Sequence, residues 1–134
     1  MNMAAEASQK QFGHRLAAFA VDAGTRELRE DVALKTKIHI IDTLAAIVSG
    51  AALEAGIAGQ RYAARYGGAP QVSILGVHQR TSLIEGALAN GMAAHADESD
   101  DSHETSQTHP GCGVLPAALA VAEFRGASGR DFLN

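Results

Sequence analysis

Apolar residues recur at helical spacing along most of the chain. From Gln11 they fall at Phe12, Leu16, Phe19 and Ala20, one face of a helix that Gly24 ends. A longer stripe of Leu34, Ile38, Ile41, Leu44, Ala45 and Val48 predicts a second helix from about Arg29 to Ser49. Its second half is nearly all apolar, so burial on most sides is expected, with Gly50 closing it in a left-handed turn. Asp42 interrupts that run, where an acid calls for a partner. Ala55 to Tyr66 reads as a third helix, ended by Gly67-Gly68-Ala69-Pro70. Val72 to Gly76 is the one strand-like piece.

Ser82-Leu83-Ile84-Glu85 has the spacing of a capping box and predicts a helix to about Ala94. Pro116 is placed to open a fifth helix, which Gly126 ends. Ser128 to Asn134 has the start signal of a sixth but little body, which suggests a fragment. Residues 1–9 are expected to be a disordered N-terminus. The fold class is mainly all-α: about six helices with at most one short strand near Ile74.

Composition narrows this picture. Hydrophobic residues reach 46% while aromatics are only 4%. Alanine and glycine dominate, which favours helices that approach closely over a bulky sandwich core. The formal charge of −4 argues against a nucleic-acid partner, because phosphate contacts need clustered Lys and Arg. The single cysteine, Cys112, makes no internal disulfide and fits a reducing compartment. The N-terminus has no apolar signal core, and no stretch approaches the roughly 20 apolar residues of a membrane helix. A cytoplasmic protein with no membrane partner is expected.

The charge distribution singles out one segment. HADESDDSHETSQTHP, from His95 to Pro110, holds five carboxylates (Asp97, Glu98, Asp100, Asp101, Glu104) and three histidines (His95, His103, His109). Between Thr81 and Phe124 there is no Lys or Arg. Three readings are open. An EF-hand is excluded, because Ser102 stands where glycine is needed and Thr108 where glutamate is needed. A zinc or iron site from His95, Asp97, His103 and His109 matches no established spacing. A proton-transfer site needs a carboxylate or histidine tuned by neighbours, and crowded acids with nearby imidazoles supply that. A solvated loop is the bland alternative, since water screens exposed charge. Likewise His14, His39 and His78 read as ordinary surface or core, His95 as a helix cap, Glu85 as a capping residue and Cys112 as inert.

Several short motifs occur in a specific order: Asp42-Thr43-Leu44-Ala45-Ala46, Gly86-Ala87-Leu88-Ala89-Asn90-Gly91, Ala94-His95 with Asp100-Asp101-Ser102-His103, His109-Pro110-Gly111, and Ala120-Val121-Ala122-Glu123 with Ser128-Gly129. Together they resemble the N-terminal part of the MmgE/PrpD family, from about Leu16 to Leu133. That family includes 2-methylcitrate dehydratase, cis-aconitate decarboxylase and iminodisuccinate epimerase.

The resemblance implies that residues 10–134 are the N-terminal portion of the large helical domain of a two-domain, usually dimeric enzyme with a smaller lid domain. It implies proton transfer next to a carboxylate of a small di- or tricarboxylate, with no metal or organic cofactor. The family's pocket Asp, Thr and His fall by match on Glu98, Ser102 and His109. His109 is then the acid/base or carboxylate-binding group, Glu98 orients substrate or relays a proton, and Ser102 donates a hydrogen bond. Asp100, Asp101, His103 and His95 are candidates for fixing the loop or binding substrate. Glu98 in place of Asp, Ser99 in place of an aromatic residue and Ser102 in place of Thr depart from the family pattern and bear on the choice of substrate.

The lysine and second histidine that the family uses are expected outside these residues. The cations balancing the acidic segment are expected there too, or on a partner subunit. The alternative is a non-catalytic helical module that only mediates association, with the Gly/Ala-rich helix from Leu83 to Ala94 as its contact surface.

Overall fold

A computed structural model describes residues 3–134, with side chains from Gln11 onward. Among the described residues there are six helices and one β-hairpin. The elements are α1 (Met3–Ala23), α2 (Glu30–Gly50), α3 (Glu54–Tyr66), β1 (Val72–Ile74), β2 (Gln79–Thr81), α4 (Leu83–Ala94), α5 (Pro110–Arg125) and α6 (Gly129–Leu133). The mainly helical expectation holds. The expected disordered stretch 1–9 lies partly outside the described residues, and from Met3 the backbone is helical. No single helix is long and apolar enough to cross a membrane.

Helix α4 is central, with α2, α3 and α5 packed around it. Its small side chains explain why. Gly50 of α2 lies so close to Ala93 that a Cβ there would overlap the Ala93 carbonyl. Gly59 of α3 sits on Ala89 in the same way, with a Cβ only 3.1 Å from the Ala89 Cα. Ile47, Ala93, Ala94 and Leu115 form the main core, joined by Ile40, Leu44, Leu75, Cys112 and Phe132. A second cluster of Ala63, Ile74 and Ala89 lies between α3, β1 and α4. Gly50 therefore serves close approach rather than a left-handed cap; the cap residue is Ala51, in right-handed conformation.

The strand expected near Ile74 has a partner that the hydrophobic pattern does not show. β1 pairs antiparallel with β2, Val72 opposite Thr81 and Ile74 opposite Gln79, and Gly76 turns the chain at φ +80°. The Gln-Arg-Thr sequence of β2 is polar because polar side chains tether this hairpin. Glu123 of α5 accepts from the Ser73 N–H and hydroxyl at 2.8 Å each and pairs with Arg80 at 2.7 Å. Asn90 of α4 is buried. It accepts from the Leu75 N–H at 2.9 Å and donates to the Ser73 carbonyl at 3.0 Å.

Three further expectations need correction. Helix α5 begins at Pro110, with Pro116 inside it, so Pro110 is the proline at the helix start. The Ser82–Glu85 box does not form; the Leu83 N–H donates instead to the Gln71 side chain at 3.2 Å. A true box opens α6, where Ser128 and Asp131 exchange hydrogen bonds.

The third correction concerns α2. Its apolar stripe faces outward: Leu34, Ile38, Ile41 and Val48 are exposed, Ile41 by 67%. The inner face is Thr43, Ala46, Ile47 and Gly50. Asp42 is exposed and needs no partner. Helix α1 likewise leaves Phe12, Leu16, Phe19 and Val21 uncovered.

Candidate active site at the acidic bend

His95 is the C-cap of α4 and His109 the N-cap of α5, so the two rings bracket the acidic bend. Within it a smaller loop closes on itself. The His103 N–H donates to the Thr108 carbonyl at 2.9 Å, and Gln107 turns the chain at φ 51°. The Ser106 hydroxyl lies 2.7 Å from His103 Nδ1 and 2.8 Å from the Thr108 hydroxyl. His103 thus ties the loop through both its backbone and its ring.

This loop returns the chain so that Asp100 points inward. Its side chain is wholly buried, although the bend around it is exposed. His95 Nδ1 lies 3.1 Å from both carboxylate oxygens. His109 Nδ1 lies 3.6 Å from Oδ1, beyond hydrogen-bond range but in ion-pair contact. The two rings are 5.1 Å apart and tilted by 52°. A carboxylate only accepts, so a neutral His95 carries its proton on Nδ1 and its lone pair on Nε2. Asp100 thereby selects the tautomer that leaves His95 Nε2 able to take a proton.

Asp101 is held separately. Its Oδ1 accepts from the Gly111 N–H in the first turn of α5 at 2.7 Å, and its Oδ2 lies 3.8 Å from His39 Nδ1 on α2. A side chain at Gly111 would overlap the Asp101 carboxylate and the Thr43 hydroxyl, so only glycine fits. Asp97 accepts from the Ser49 hydroxyl of α2 at 2.5 Å and from the Ser99 hydroxyl at 2.6 Å. The Ser49 hydroxyl, then the Ser99 hydroxyl and N–H, hold the Asp97 carboxyl below its ordinary value.

The acids are therefore balanced in part locally, by imidazoles, hydroxyls and backbone N–H groups, rather than only by cations from elsewhere. Cys112 donates to the His109 carbonyl at 3.1 Å. Burial, then the Asp100 carboxylate, pushes its thiol up, so it stays protonated and unsuited to nucleophilic attack.

Glu98 and Ser102 are exposed, and among the described residues neither side chain has a hydrogen-bond or ion-pair partner. Glu98 adopts φ 54°, a left-handed conformation that a non-glycine residue seldom takes. The structure brings together His95, Asp100 and His109, and beside them Asp101 with His39. Sequence reasoning passed over His39, because a lone histidine on a helix carries no signal until its partner's position is known.

His95 and Cys112 also line an open apolar recess of about 530 Å3 with Leu88, Gly91 and Met92. His109, Glu98 and Ser102 lie outside that lining. Two other recesses, of about 590 and 790 Å3, lie along α6 and contain no histidine. The ligating atoms of His95, Asp100 and His109 lie within 4.8 Å of one another, a spacing that a divalent cation could draw closed. Of the four residues first weighed as metal ligands, only His95 and His109 belong to that group.

The MmgE/PrpD N-terminal domain family matches the chain over residues 14–134. No curated protein matches it in a sequence search.

Proposed function

Because the chain belongs to the MmgE/PrpD family, we propose that it forms part of a cofactor-independent lyase or epimerase for a small di- or tricarboxylate. The reaction is proton transfer at a carbon next to a carboxylate, in the manner of a 2-methylcitrate dehydratase. The observation that carries this reading is the buried Asp100 between His95 and His109. A desolvated carboxylate that orients an imidazole is the arrangement general acid/base chemistry needs. His109 takes or returns the proton through Nε2. Asp100 holds the ring and stabilises the charge formed on it. His95 is the second imidazole of the pair and faces the apolar recess.

Glu98 and Ser102 engage no protein group among the described residues, which leaves both free for substrate. Glu98 orients the substrate or relays a proton, and Ser102 donates a hydrogen bond to it. The uncovered apolar faces of α1 and α2 support association with further helices, in a homodimer.

The test, made in the full-length enzyme context because the family's lysine and second histidine are expected outside these residues, is turnover of 2-methylcitrate, cis-aconitate, iminodisuccinate and related acids, alongside exchange of their α-hydrogens in deuterated water. Turnover or exchange that His109→Ala abolishes is the expected result. If no acid reacts or exchanges, the reading fails, and the uncovered faces favour a helical module that only mediates association.

A further inference from the structure

A polycarboxylate substrate needs a cationic receptor, and the bend itself supplies no Lys or Arg. The cations it can offer are imidazolium groups. Two of these, His95 and His109, share Asp100. The next residue, Asp101, turns its carboxylate toward a third imidazole, His39, which comes from a different element, α2.

The geometry repeats. In all three cases Nδ1 is the ring nitrogen nearest an aspartate, at 3.1 Å for His95, 3.6 Å for His109 and 3.8 Å for His39, so His95 is hydrogen-bonded while the other two are in ion-pair contact. Asp101 is also pinned by the Gly111 N–H, and its side chain is only 13% exposed, so it is a fixed anchor. His39 is half exposed and therefore open to a ligand. Its own helix places Lys35 one turn before it and Asp42 three residues after it, both exposed. Lys35 adds positive charge on the same side of α2.

We propose that His39 is a binding residue for one carboxylate of the substrate, held in position by Asp101. The proposal rests on the polycarboxylate reading above and adds a residue from outside the acidic bend. When the anion arrives, a carboxylate oxygen accepts from His39 Nε2–H, while Asp101 lies on the Nδ1 side of the ring. Asp101 acts only through His39 and the first turn of α5, so it is a positioning residue.

The experiment uses tricarballylate, a tricarboxylate with neither a leaving hydroxyl nor a double bond. It is titrated into the protein while the imidazole resonances of His39, His95 and His109 are followed by NMR. The resonances of His39 are expected to move together with those of the other two. His39→Gln is expected to weaken tricarballylate binding about tenfold, the loss of one charge-assisted hydrogen bond. His14→Gln, a change on α1, is expected to leave the affinity as it was.

If His95 and His109 respond while His39 does not, the His39 assignment is wrong and the polycarboxylate reading survives. If no imidazole responds, both fall. The titration of the unsubstituted protein decides the matter even where His39→Gln fails to fold.

Discussion

From Leu83 to Ala94 the chain is held against its neighbouring helices by shape; from Ala96 to Thr108 it is held by hydrogen bonds. On α4, backbones meet through Gly50, Gly59, Ala89 and Ala93, and the contacts have no chemical identity beyond being small. In the bend, almost every tie joins a particular donor to a particular acceptor: Ser49 to Asp97, His95 to Asp100, Gly111 to Asp101. Packing of the first kind tolerates no added volume but is indifferent to charge. Ties of the second kind tolerate volume at the exposed tips but depend on which atom carries a proton. A closely packed α4 surface thus carries a chemically specific segment at its end.

The comparison breaks most sharply at His109. In the full-length context, His109→Ala is expected to lower turnover by about a hundredfold or more, the usual contribution of a general acid/base. Thermal stability is expected to change little, because the ring is 40% exposed. A loss of stability matching the loss of turnover would make His109 a structural cap instead.

Gly50→Val tests the opposite region. Its side chain must displace the Ala93 carbonyl, and overpacking of this kind destabilises by about 1–3 kcal/mol. Chemical denaturation would measure it, and a value near zero would show that α2 and α4 separate without penalty. Treatment with EDTA is expected to leave turnover unchanged. A loss restored by a divalent cation would convert His95, Asp100 and His109 from a proton-transfer group into a metal centre.

The helices were legible because each is marked by periodic apolar residues and by glycine or proline at its ends. Leu83–Ala94 and the third helix matched their expected bounds within a residue. The face that α2 buries was not legible. Its most hydrophobic residues, Ile38, Ile41 and Val48, point outward, while the contact is made by Thr43, Ile47 and Gly50. Hydrophobicity ranks side chains by their aversion to water, but close helix contact selects for small size, and here the two criteria choose different faces. Strand β2 escaped for a related reason, since it is fixed by polar partners on α5 rather than by an alternating apolar pattern. At the site, the density of acids and histidines between His95 and His109 was plain. Which carboxylate is buried depends on the turn at Gln107 and on the separation of two helix ends, and those are tertiary facts.

The hairpin tether sharpens the comparison with the smallest expected effect, because it is polar like the bend but remote from its chemistry. Burial alone would raise the Glu123 carboxyl. The Ser73 N–H and hydroxyl, followed by Arg80, outweigh that and hold it below its ordinary value. A carboxylate lowered in the folded state contributes stability that is complete above its unfolded pKa. That contribution is lost as pH falls through the folded one. Glu123→Gln is therefore expected to reduce stability by about 1 kcal/mol at neutral pH, a typical net value for such hydrogen bonds. Melting curves of the two proteins should converge on acidification, since protonated Glu123 offers the same groups as glutamine. Turnover should be unaffected at every pH. Curves that stay parallel would mean that the tether does not depend on the charge of Glu123, and that the hairpin, like α4, is held by shape.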